Sequence, residues 1–107
     1  MIKKPTDFFW RIARKSLEQN HISEGTLMGF PCLRYKGVFF ATAEHRTGDL
    51  IVKLPVDRVQ ELISDGSGLP FAPAGKIFKE WVLIEGRNTR EWELLISEAK
   101  EFVTQNN

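Results

Sequence analysis

Cys32, His21 and His45 are the side chains that could supply a nucleophile and a base. A thiol attacks only as thiolate, and an imidazole is the usual group that takes its proton. The placement of the three speaks against such a pair. Cys32 stands in the run Phe30-Pro31-Cys32-Leu33, where a cysteine is more often a small buried hydrophobe. His21 follows a helix-like stretch and His45 sits in a polar turn, so both are expected at the surface. One cysteine and two distant histidines do not match zinc-ligand spacing. No phosphate-cradling glycine motif is present, and Gly66-Ser67-Gly68 follows a helix, the wrong end for a phosphate. Carboxylates are scattered over polar faces with no inward pair. No catalytic residue, metal or cofactor is expected.

Three other features point to binding rather than catalysis. Lys53 is a charge inside the apolar run Leu50-Ile51-Val52-Lys53-Leu54. Strand alternation gives Leu50, Val52 and Leu54 one inner face and turns Lys53 to solvent. Lys76, Lys79 and Trp81 flank a loop rich in proline and glycine that also holds Phe71. Basic and aromatic side chains together can hold a phosphate and a base, although a lysine stem lying over a tryptophan is commoner. Met28-Gly29-Phe30-Pro31 must bend, which could offer an aromatic to a partner. The candidate binding surface is therefore Lys53, Phe71, Lys76, Lys79 and Trp81. Arg11, Arg14 and Lys15 form a second basic group, read first as the solvated face of a helix.

These residues need a scaffold. Residues 6–20 read as a helix, with Thr6 as N-cap and Phe8, Phe9, Ile12, Ala13 and Leu17 on one face. Gly25 to Ala43 reads as a hairpin turning at Lys36-Gly37. Its first strand runs through the Gly29-Pro31 bend. Residues 44–49 are a turn and Leu50–Leu54 the third strand. Strands joined by such short turns must be antiparallel. A second helix is expected over Pro55 to Asp65, buried through Val56, Val59, Leu62 and Ile63 and capped by Gly66. Leu69 and Phe71 should pin the stiff Ser67–Gly75 loop. Lys76 to Ile84 reads as a long strand or a bulged pair of short ones, with a bulge expected because Phe78 and Trp81 break strict alternation. The last helix spans Thr89 to Thr104, with Asn88 and Glu91 in capping-box spacing. The order α-β-β-β-α-β-α implies an α+β domain of two layers, an antiparallel sheet of four to five strands with helices packed on it.

The 107 residues suit one domain, ordered over about 6–104. Eight Phe and three Trp supply its core. A net charge of +1 is too small for a domain that grips phosphates along its whole surface, so nucleic acid would need a local patch. The single cysteine fits a reducing cytoplasm. Neither a signal peptide nor a membrane span is visible in the pattern, so no membrane partner is expected.

The motifs together resemble those of a family. Met28-Gly29-Phe30-Pro31-Cys32-Leu33 followed by Lys36-Gly37-Val38-Phe39-Phe40-Ala41 resembles the opening signature of the TfoX/Sxy N-terminal domain, with Met28-Gly29-Phe30 in place of Met-Phe-Gly. Leu50 to Pro55, Arg58, Leu62, Gly66, Phe71, Pro73 and Lys79-Glu80-Trp81-Val82 resemble its later blocks. The likeness spans about residues 8–103, and the MmcQ/YjbR group is similar too. It implies a two-layer α+β domain of bacterial competence regulators, in which a helical second domain follows that is not expected here. It transfers no catalytic residue. The expected function is thus a non-enzymatic bacterial binding or regulatory module acting through a protein partner or self-association. Direct DNA binding through Arg11, Arg14, Lys15 or the Lys76–Trp81 surface is one alternative, and a small-molecule site near Phe71 and Trp81 is another.

Overall fold

Alternation in the middle of the chain sets the architecture. In the computed structural model, which describes residues 5–27 and 30–105, Leu50, Val52 and Leu54 point to one side and are fully buried. Leu50 and Val52 lie on the strand β4 (Leu50–Lys53), and Leu54 directly follows it, at the centre of an antiparallel sheet of six strands. The others are β1 (Ile22–Leu27), β2 (Phe30–Tyr35), β3 (Val38–Ala43), β5 (Leu69–Pro70) and β6 (Trp81–Ile84), in the spatial order β1-β2-β3-β4-β6-β5. Three helices, α1 (Asp7–Ala13), α2 (Val56–Ser64) and α3 (Thr89–Gln105), pack on the sheet. The α+β class and the expected order of elements both stand, with two extra strands.

The extra strands have local causes. The run through Gly29 and Pro31 is two strands rather than one bent strand: Ile22 to Leu27 pairs with Phe30 to Tyr35, from Ile22 opposite Tyr35 to Leu27 opposite Phe30. The expected bend at Met28-Gly29 lies outside the described residues. β5 is two residues long because Pro70 offers no N–H to continue the ladder.

The hairpin turn falls at Lys36-Gly37 as expected, and both residues have positive φ (48° and 87°), the twist that two-residue hairpins favour. Past this turn, Arg34 opposes Phe39 but Leu33 opposes Ala41. Phe40 is therefore the extra residue of a bulge, and the bulge lets consecutive Phe40 and Ala41 both reach the core. The bulge expected near Phe78 is absent, because Lys76–Glu80 is not strand. Those residues are all exposed, and the strand starts only at Trp81.

The first helix is shorter than its 6–20 pattern. It ends at Ala13, and a separate 3₁₀ turn covers Ser16–Glu18. Leu17 is the single large apolar residue between Arg14 and His21, so a continued helix would bury too little to hold itself. Thr6 makes no side-chain cap bond. Val56 of α2 is largely exposed rather than part of the buried stripe, while Val59 and Leu62 carry it. Asn88 does cap α3: its Oδ1 accepts the Glu91 N–H at 2.9 Å. Trp92 sits at the bottom of the core, donating its Nε1–H to Gly86 O at 2.6 Å, with the Phe8 ring edge-on at 4.8 Å.

One core binds the layers. Phe9, Ile12 and Ala13 of α1, Val59 and Leu62 of α2, and Trp92, Leu95, Ile96, Ala99 and Val103 of α3 share it with the inward residues of the strands. Arg58 also ties α2 to α3 through two hydrogen bonds to Glu98, at 2.9 and 3.2 Å. All three helices thus cover the same face of the sheet. The opposite face carries none of them.

Candidate functional site

The face opposite the helices can be read off the ladder. Gly25, Cys32, Thr42, Ile51, Leu83 and Leu69 are successive partners across all six strands. They alternate with core residues, so they form one row on the outer face. Ile51 is only 4% exposed although it belongs to this row and not to the helix-side core. Lys53 lies two residues on, directly opposite Trp81. Arg34 lies across Gly25, where an added Cβ would come within 3.0 Å of its Cδ, and its Nε donates to Ser23 Oγ at 3.0 Å. The outer face therefore combines an apolar row with the cations Arg34 and Lys53.

Of the five residues singled out by sequence, the structure joins Lys53 and Trp81 as a cross-strand pair. Phe71 and Lys76 belong to a second group. The Phe71 and Phe78 rings meet at 5.9 Å, and Lys76 Nζ stands 6.0 Å from the centre of the Phe78 ring. The Phe78 N–H donates to Phe71 O at 3.0 Å, which closes the loop on itself. The Trp81 N–H then donates to Phe78 O at 3.1 Å, forming a turn that holds Lys79 and Glu80. Next to it the Leu54 N–H donates to Glu80 O at 2.8 Å, one step past the end of β4. The two groups are thus neighbours, linked by the Phe78–Trp81 turn.

The loop before Lys76 has a defined local turn. Pro73–Gly75 form a 3₁₀ turn in which Ala74 and Gly75 both have positive φ. Leu69, however, does not pin the loop to the body. It sits in the outer row opposite Leu83 and is 44% exposed. Sequence pattern also missed the most exposed apolar pair: Ile77 is 60% and Phe78 40% exposed. The signal was present in Lys76-Ile77-Phe78-Lys79, two bulky residues between two cations in a segment without strand alternation.

The other basic group lies elsewhere. Arg11 is on α1, and Arg14 and Lys15 follow it on the helix side, where Lys15 pairs with Glu93 of α3 at 3.5 Å. A cleft of about 230 Å³ opens there between Ile12, Lys15, Ser16, Gln19, Glu93, Ile96, Ser97 and Lys100. Phe71 and Trp81 do not line it.

Cys32 is fully buried in the outer row, and burial pushes its thiol up to about 11. That is the wrong direction for a nucleophile at neutral pH. His45 stands against its neighbour Glu44, at 3.3 Å, and His21 meets the Tyr35 ring edge-on at 5.9 Å. Among the described residues no three His, Cys, Asp or Glu side chains gather where they could hold a metal ion, and no helix is long and apolar enough to cross a membrane. Comparison with known proteins finds no matching family model, no matching curated protein and no matching solved structure.

Proposed function

We propose that this chain is a non-enzymatic binding module with a regulatory role in a bacterial cytoplasm. It acts through protein contacts at the corner formed by Lys53, Trp81 and the Phe71–Lys79 loop. One observation carries the reading. All three helices cover one face of the sheet, while Leu69 in the outer row and Ile77 and Phe78 in the adjoining loop stand exposed near three lysines. Exposed bulky apolar residues gathered in one region mark contact surfaces more often than chance exposure does. The residues that resemble the TfoX/Sxy N-terminal domain point the same way, since that resemblance implies a regulator and transfers no catalytic residue.

The test is site-specific cross-linking in the source cell. A photo-reactive phenylalanine analogue at Ile77 should give a covalent product with a protein. The same analogue at Leu94, which is equally exposed but lies on α3, should not. Products of equal yield at both positions, or at neither, would reject this surface.

A further inference from the structure

The corner described above also constrains what it can bind. We infer that its partner is an acidic protein segment carrying bulky apolar side chains. This rests on the reading of the corner as a protein-contact surface.

The first argument is charge. Lys53, Lys76 and Lys79 are the cations of the corner, with Glu80 the one carboxylate among residues 76–81. Among the described residues, no ion pair engages any of the three lysines. Ion pairs form elsewhere in Arg58–Glu98, Arg87–Asp49 and Lys15–Glu93, and among the described residues other cations such as Arg11 and Arg90 also stand without one; what sets the corner apart is that its lysines adjoin exposed bulky apolar side chains. Unpaired cations around an apolar surface are complementary to carboxylates around apolar side chains, and such complementarity selects partners and registers them.

The second argument is shape. The apolar part is aliphatic as much as aromatic: Leu69 and Ile77 are the more exposed, and neither offers a face on which a base can stack. The Phe78 ring packs against Phe71, tilted by 30°, and the Lys76 ammonium stands over it. A stacking platform for single-stranded nucleic acid needs open aromatic faces, and here one is already occupied. The loop is also preorganised by Pro73, by the Phe78–Phe71 backbone bond and by the positive φ of Ala74 and Gly75. A stiff loop loses little entropy when a side chain docks on it.

The third argument excludes a second copy of the same corner. A twofold contact would bring the patch against itself. Lys76 and Lys79 would then face their own copies, with only Glu80 to offset them.

The experiment uses the full chain and four labelled probes in fluorescence anisotropy. One is a short peptide of alternating Glu and Leu or Phe residues. The second replaces each Glu by Lys, the third is a single-stranded oligonucleotide, and the fourth is a vesicle containing anionic lipid. The acidic apolar peptide should bind saturably and the lysine peptide should not. Ile77→Ser with Phe78→Ser should weaken the acidic peptide at least about tenfold, as loss of an interface anchor does. Lys76→Glu with Lys79→Glu should weaken it and allow the lysine peptide to bind. All four positions are exposed, so these variants are expected to fold, and circular dichroism checks that they do.

Equal binding of both peptides, or acidic binding untouched by the charge reversal, would overturn the inference. So would tighter binding of the oligonucleotide or the vesicle than of the acidic peptide. If cross-linking at Ile77 captures a protein but the attached segment is basic or purely polar, the inference fails while the contact surface stands. If cross-linking at Ile77 captures no protein, the contact surface itself fails.

Discussion

Arg87 reaches from the turn before α3 to Asp49 at the start of β4, with Nη1 donating to Asp49 Oδ1 at 2.8 Å. Nη1 also donates to Glu85 O at 2.8 Å, Nη2 to Thr47 O at 2.5 Å, and the guanidinium lies over the Trp92 ring at 5.4 Å. One side chain thereby fastens the β3–β4 turn to the β6–α3 turn. Asp49 is 8% exposed, and its carboxylate takes this guanidinium on Oδ1 and the Thr47 hydroxyl on Oδ2 at 2.8 Å, so losing Arg87 leaves one oxygen short of a partner. Arg87→Ala should cost about 1–3 kcal/mol, the usual penalty for stranding a nearly buried polar group. Urea unfolding measures it. A loss no greater than that of Arg90→Ala, whose side chain is exposed on α3, would show that the contacts to Asp49 add nothing.

Gly48 and Gly37 both have positive φ, 79° and 87°, in the two turns that flank β3. Any side chain there meets the left-handed penalty of about 1–2 kcal/mol. At Gly37 a Cβ would touch nothing within 4 Å, whereas at Gly48 it would run into the Pro5 carbonyl. Gly37→Ala should therefore cost only the backbone penalty. Gly48→Ala should cost clearly more and release the chain around Pro5. Thermal melting of the two variants, with hydrogen exchange near Pro5, tests the difference.

The buried thiol of Cys32 should resist modification. At neutral pH an aromatic disulfide reagent should label it only on unfolding, and far faster in denaturant than in buffer. Its pKa is raised, so the folded state holds the proton more tightly than the unfolded chain does. The stability due to the neutral thiol is complete below the ordinary value of 9.0 and falls as pH rises toward about 11. Wild type should thus lose more stability across that window than Cys32→Ala, each compared with its own value at pH 7. Parallel losses would show that burial of the thiol is not what the alkaline limb reports.

Asn88 accepts one of the unpaired N–H groups at the start of α3. Asn88→Ala should cost about 1 kcal/mol, and Asn88→Asp close to nothing. Denaturant titration of the two separates a cap from a merely polar position.

The elements most legible in sequence were those with a strong period and a clean end. α3 combined a long apolar stripe with Asn88 ahead of it, and the alternation of Leu50, Val52 and Leu54 correctly turned Lys53 outward. Less legible were features set by distant partners. The pairing of Ile22–Leu27 with Phe30–Tyr35 is a strand-to-strand relationship that the Gly29 and Pro31 pattern, read as a bend in one strand, did not convey. The bulge sits at Phe40 rather than at Phe78 because the β2–β3 register places it there, and no local residue announces it. The Arg58–Glu98 bond joins residues forty positions apart, so nothing local to α2 announces it.

For the candidate surface, residue type was enough to single out Lys53 and Trp81, while only the β4–β6 register makes them neighbours. Ile77 was hidden by its own hydrophobicity. A bulky aliphatic residue is taken for core, and its exposure follows from the strand beginning four residues later.

The bond between Phe78 N and Phe71 O gives residues 71–78 the form of a closed ring whose two ends are anchored independently of its contents. The ladder of β5 and β6 holds one side and the Leu54–Glu80 bond the other. Side chains at the tip therefore make no part of the backbone bonds that hold the sheet. On the proposed reading, the contact surface would thus sit on a loop set apart from the ladder that builds the sheet, where side chains can be exchanged without altering strand pairing.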